Sequence, residues 1–167
     1  PDPQPDPEPD PMFDKARYKL FRSIIGTVSH VANFTHPEIS TAVSIVSTKM
    51  ANPSTHDLDN AFHILRYLHG TVRNSQAKLT FHYNELYSSS SHTAQHPIHI
   101  NCDADLANCK ITRRSRTGYA AYLFGNLVGW ITSRHPGVSR SAGDSEYTVI
   151  RPSAQFGKWY KGLVGDM

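Results

Sequence analysis

Midway along this chain the spacing of apolar residues changes from a helical period to strict alternation, so the two halves cannot be built from one kind of element. In the first half Leu20, Ile24, Val28, Val31 and Ala32 keep the spacing of one helix face. Thr35 and Glu38 have the form of a capping box, with the threonine hydroxyl placed to accept from the Glu38 amide. Behind it Ile39, Ala42, Val43 and Val46 make the stripe of a second helix. Asn52-Pro53 ends that helix, and Ser54 can cap a third with Asp57 in its first turn. Leu58, Ala61, Phe62, Leu65 and Leu68 then form a buried face, and Gly70 is a natural stop. Three amphipathic helices with short connections predict a small bundle.

The second half alternates. Residues 77–83 read as a strand with Leu79, Phe81 and Tyr83 on one face, and the serine-rich run 88–91 as a loop. From His96 to Cys102 the pattern puts Ile98, Ile100 and Cys102 on one face and His99, Asn101 and Asp103 on the other. Tyr119–Phe124 and Val128–Thr132 are two more strands, joined by a turn at Gly125-Asn126. A helix starts near Ser141 with Asp144 and Glu146 in its first turns. After the serine-rich loop the order is strand, strand, strand, helix. The aromatics Tyr119, Tyr122, Phe124 and Trp130 read as core.

Charge is unevenly spread. Residues 1–14 carry five acids (Asp2, Asp6, Glu8, Asp10, Asp14) and no base, leaving 17 bases against 9 acids, or +8, for the rest. A body that basic suits a polyanion. Proline at nearly every second place in PDPQPDPEPDP fixes φ and removes amide donors, so residues 1–14 are expected to be a disordered tether. Two cysteines, Cys102 and Cys109, make neither a disulfide framework nor a zinc spacing, and the ten histidines form no compact ligand motif. No apolar run has the length to span a bilayer, so an intracellular place, cytoplasmic or nuclear, is expected with no membrane partner.

Two acidic clusters frame the second half: CDADLANCK holds Asp103 and Asp105, and SAGDSEY holds Asp144 and Glu146. With RRSRTGY and VGWITSR between them, these residues resemble the ribonuclease H domain of a Ty1/copia-type retrotransposon polyprotein, whose corresponding motifs read S-D-A-D-W-A-G, R-R-S-T-S-G-Y, I-S-W-x-S-K and S-S-T-E-A-E-Y. YKLFRSIIGTVSHVANFTHPEISTAV and MANPSTHDLDNAFHILRYLHGT resemble that family's thumb and connection, which follow the reverse transcriptase palm. The likeness runs over about residues 17–164. It implies an α+β chain: a disordered tail at 1–14, a three-helix thumb- or connection-like segment at 15–76, a strand and Ser-rich linker at 77–95, and a truncated ribonuclease H-like α/β domain (β-β-β-α) at 96–167.

It also implies chemistry. The family cuts the RNA strand of an RNA–DNA hybrid with two Mg²⁺ ions held by carboxylates. Matched position by position, Asp103 is the strand-end catalytic and metal ligand and Glu146 the helical one. Hard Mg²⁺ prefers oxygen ligands, and two such ions can activate a water and stabilise the leaving oxygen in one in-line displacement. A third family carboxylate lies in a D-N-x-x-A motif and a fourth beyond it; these 167 residues match neither, and no palm carboxylate motif is present. Leu106 and Asn108 stand where the family has tryptophan and glycine. Pro152 costs a helix interior about 3 kcal/mol and Gly157 about 1, so the helix bearing Glu146 is expected to end near Arg151.

Asp105 and Asp144 are expected to be supporting or solvated acids. Lys110, Arg113, Arg114, Arg116, Arg134 and Arg140 make a basic group between the acidic motifs. Two readings of it stand: a phosphate-backbone contact, or a solvated loop face. The expected function is that of a Pol polyprotein fragment from the reverse transcriptase and ribonuclease H region, a ribonuclease H by ancestry with little or no nuclease activity in these residues alone. The alternative is a non-enzymatic nucleic-acid-binding or scaffold remnant. Its partners would be an RNA–DNA hybrid or other nucleic acid and the remainder of the polyprotein.

Overall fold

The computed structural model describes residues 13–74, 79–81, 98–107, 109 and 112–165. The chain forms two compact units, Pro1–Leu79 and Thr80–Met167. Helices fill the described part of the first, and an antiparallel sheet with one helix fills that of the second, an α+β arrangement. Among the described residues no helix is long and apolar enough to cross a membrane.

The first unit holds α1 (Lys15–Phe34), a 3₁₀ turn (Pro37–Ile39), α2 (Ser40–Ser47) and α3 (Thr55–Arg73). Asp14 starts α1 by accepting from the Arg17 amide at 2.8 Å. The buried stripe of α1 is Phe21, Ile24, Ile25, Val28 and Ala32. At 100° per residue Leu20 falls to its side, which is why Leu20 is exposed and Phe21, not Leu20, is the core residue. Ile39, Val43 and Val46 pack on this stripe from the second segment, and Leu58, Ala61 and Ile64 from α3. Ala42 and Phe62, expected inside, are exposed.

The two expected caps behave differently. Ser54 and Asp57 close a full capping box: the Asp57 amide donates to Ser54 Oγ at 3.3 Å, and the Ser54 amide donates to Asp57 Oδ2 at 2.9 Å. Thr35 caps nothing. Its hydroxyl donates back to the Val31 carbonyl at 3.1 Å, and Glu38 binds His36 Nδ1 at 2.7 Å instead. The Val31 carbonyl, which also accepts from the His36 amide at 3.0 Å, draws that hydroxyl back to the end of α1. Gly70 does not stop α3, which runs on to Arg73.

The second unit holds β1 (Ile98–Asp105), β2 (Arg116–Leu123), β3 (Asn126–Arg134) and α4 (Ala142–Gly165). The strands pair antiparallel in the order β1-β2-β3. Phe124 and Gly125, with φ of 48° and 77°, form the tight turn between β2 and β3, one residue earlier than expected. Phe124, expected in the core, is exposed there. A bulge beside Ala121 and Tyr122 shifts the β2–β3 register by one residue. Of the expected strand at 77–83, residues 79–81 are described and lie outside any strand; the rest of it, the serine run and the tail at 1–12 lie outside the described residues.

One face of the sheet carries α4. Phe156 stacks beside Tyr119 with ring centroids 5.5 Å apart, and Tyr160 donates to the Val128 carbonyl at 3.4 Å. Gly157 lies against Ile100, and Gly129 lies under the Phe156 ring, where a β-carbon would collide with it. Gly129→Ala should therefore lower stability by about 1–2 kcal/mol, read as a lower urea midpoint, because the ring is wedged among Tyr119, Trp159 and Tyr160 and cannot retreat freely.

The expected end of this helix near Arg151 is wrong: α4 continues through Pro152 to Gly165. Val149 and Ser153 are buried on either side of the proline, and Phe156 and Tyr160 bind the next turns to the sheet. Packing outweighs the missing amide bond.

Candidate functional site

Among the described residues, the acids and arginines of β1, β2 and β3 singled out by the sequence lie at one end of the sheet. β1 ends there at Asp105, β2 begins at Arg116, and β3 ends at Arg134. These three are cross-strand neighbours, so Asp105, Arg116 and Arg134 form one rung. The next rung inward on the same face is Asp103, Gly118 and Thr132, with Ala104, Thr117 and Ser133 between on the other face. Beyond it comes Asn101, Ala120 and Trp130.

The helix shares this end. Gly157 sits beside Ile100. Counting back from 157 to 146 at ~1.5 Å per residue gives roughly 16 Å. From Ile100 to Asp105 at ~3.3 Å per residue is also roughly 16 Å. Glu146 therefore lies level with the end of β1. The two carboxylates nevertheless occupy different layers. Ile100 meets α4, and Tyr119, which does too, is the partner of Cys102. Strand alternation then sends Asp103 to the face away from α4. The expected division of Ile98, Ile100 and Cys102 from His99, Asn101 and Asp103 is thus the observed one.

Asp103 is exposed, and its Oδ1 accepts from the Ala104 amide at 2.9 Å. Glu146 is exposed on α4. Among the described residues no three His, Cys, Asp or Glu side chains are placed to hold a metal. Two carboxylates on different layers are a poor match for Mg²⁺, which demands near-octahedral oxygen ligation.

The other two acids have backbone roles. Asp105 Oδ1 accepts from the Arg116 amide at 2.6 Å, tying the strand ends. Asp144 starts α4: its Oδ2 accepts from the Arg140 amide at 2.9 Å, while its own amide donates to Ser141 Oγ at 3.1 Å.

The bases divide into three settings. Arg116 and Arg134 face each other across β2 and β3. Burial holds the Arg116 guanidinium below the usual arginine range, with Asp105 opposing that effect and Arg134 adding to it. Arg113 and Arg114 lie in a tight turn, where the Arg113 amide donates to the Cys109 carbonyl at 2.7 Å and Arg113 takes a left-handed φ of 54°. Arg140 is exposed just before α4. Lys110 lies outside the described residues.

His135 was given no role by the sequence, yet it is buried beside these groups. Its amide donates to the Ser115 carbonyl at 2.9 Å, and its Nδ1 pairs with Ser139 Oγ at 3.1 Å. Ser115, wholly buried, accepts from the Ala107 amide at 3.1 Å. The pair thereby clamps the basic turn to the end of β3. Burial was the missing signal, since a histidine after a strand looks the same exposed or inside.

No protein-family model matches this chain, and no solved structure does. Curated proteins do. An uncharacterized mitochondrial protein of Arabidopsis thaliana is 36% identical over 139 residues, which is 83% of this chain and 52% of that protein. The retrovirus-related Pol polyprotein from transposon RE1 of the same plant is 29% identical over 88% of this chain and 9% of the polyprotein. The one from transposon TNT 1-94 of Nicotiana tabacum is 26% identical over 88% of this chain and 10% of its own length. The chain thus spans about half of the first relative and about a tenth of each polyprotein.

Proposed function

This chain is a homologue of the Pol polyproteins of copia-type retrotransposons, and we propose that it is a piece of their reverse transcriptase and ribonuclease H region in which nucleic-acid holding outlasts cutting. The first unit is read as the thumb or connection. The second is read as ribonuclease H-like by descent, on the order of its motifs and its strand, strand, strand, helix sequence.

One observation carries the functional reading. The sheet end gathers arginines from both strands of a hairpin, while the two matched carboxylates there stand in different layers. Electrostatic attachment to phosphates needs only the former. Hydrolysis by two metal ions needs several carboxylates converging on one point.

The test uses the 167-residue chain, a labelled RNA–DNA hybrid and Mg²⁺. The expected result is binding that weakens as salt rises, with cleavage no faster than that of Asp103→Asn. Mg²⁺-dependent cleavage that disappears in both Asp103→Asn and Glu146→Gln would establish a working nuclease and reverse the reading.

A further inference from the structure

We infer that Arg116 and Arg134 together form a phosphate seat, holding one phosphodiester of a nucleic-acid strand on the face of the sheet opposite α4. This rests on the nucleic-acid reading above and assigns to two of the bases a site of their own.

Register is the first argument. The two arginines are direct partners on neighbouring strands, and strand spacing starts their side chains about 5 Å apart. Both alternate to the face away from α4, the one helix among the described residues of this unit. Like charges directly opposed across strands destabilise a sheet, and burial makes it worse for Arg116. An anion between them relieves both penalties. The rung holds one acid, Asp105, the cross-strand partner of Arg116, whose charge offsets part of that cost; Arg134 brings the second cation to the same rung. Guanidinium forks suit phosphate oxygens geometrically, and weak hydration makes their partial burial tolerable.

The neighbouring rungs supply the room. Gly118 lies next to Arg116 on the same face, with Ala120 beyond it. A β-carbon at Gly118 would meet only the Ile131 carbonyl at 3.6 Å and Thr132 Oγ1 at 4.0 Å. β2 is therefore a low floor between the Asp103 and Thr132 sides. A strand seated on the arginines has a path along it, passing Asp103 about 7 Å away, two residues along the sheet. Charge favours this occupant, since the second unit carries nine bases against six acids.

The experiment measures binding of a labelled RNA–DNA hybrid to the full 167-residue chain by anisotropy, over a salt series. Arg116→Gln and Arg134→Gln should each weaken binding roughly tenfold at low salt and reduce the slope of log affinity against log salt by about 1. The double variant should bind about as weakly as either single one, because both side chains serve one phosphate. Arg140→Gln should change neither quantity as much. Thermal melting guards against misfolding: Arg134→Gln should melt above wild type in low salt, and the gain should vanish when inorganic phosphate is added. Additive losses, an unchanged slope, or a lowered melting temperature for Arg134→Gln would overturn the seat and leave nucleic-acid holding intact. Inorganic phosphate binding as tightly as the hybrid would make this a free-phosphate site and also overturn the proposal. A wild-type chain that binds no hybrid would remove both readings.

Discussion

Phe21→Ala should cost the first unit about 3–5 kcal/mol, the largest effect of any single substitution considered for this chain. Phe21 is fully buried in α1 and meets Phe13 edge-on at 6.3 Å. Around it pack Ile24, Ile25 and Val28 of its own helix and the apolar residues of α2 and α3. A bundle of this size has little stability to lose, since a whole domain commonly holds only about 5–15 kcal/mol. The chain permits a clean measurement, because its two tryptophans, Trp130 and Trp159, both lie in the second unit. Urea unfolding followed by circular dichroism at helix wavelengths should show a component moved to much lower urea. The tryptophan fluorescence transition should stay where it is in wild type. If both transitions move together, the units share their stability and the effect does not belong to the helical core alone.

How much the sequence disclosed depended on how local the deciding interactions were. Ser54 and Asp57 satisfy each other within four residues, so their box was legible. Thr35 had the same letters, but its hydroxyl is drawn to Val31 in the preceding turn, a competitor outside the motif. Alternation along β1 is enough to put Asp103 on the opposite side from Ile100, and the same pattern shows why Asp103 and Glu146 do not share a layer. The arginine pair was not legible. A two-residue turn at Phe124-Gly125 sets Leu123 against Asn126, and an unbroken ladder would carry Arg116 to Ser133. The bulge beside Ala121 and Tyr122 moves that partner to Arg134. A single extra residue in one strand decides whether two charges face each other, and no local pattern announces it. The clamp of Ser115 and His135 was hidden for a related reason, as both depend on burial set by distant chain.

Replacing Pro152 by alanine should stabilise the second unit by about 2 kcal/mol. Proline in a helix interior is about 3 kcal/mol worse than alanine, because its nitrogen cannot donate to the carbonyl four residues back and its ring crowds that carbonyl. Part of the gain is returned, since proline also restricts the unfolded chain, by about 0.4–1 kcal/mol. Pro152 is exposed, so the substitution removes no core packing. The helix already spans the site, held by buried Val149 before it and by Ser153 after it, whose hydroxyl donates to the Val149 carbonyl at 3.0 Å. Tryptophan fluorescence in urea should therefore show a higher midpoint with an unchanged slope. Gly157→Ala makes the informative comparison, because it too restores a good helix former. Its new β-carbon would stand 3.2 Å from the Ile100 side chain, so its propensity gain of about 1 kcal/mol is spent pushing that side chain aside. Stabilisation by both substitutions alike would mean that α4 is not seated on β1 as closely as Ile100 requires. A destabilised Pro152→Ala chain would mean that the proline is needed to shape the helix for the sheet, and that packing does not merely tolerate it.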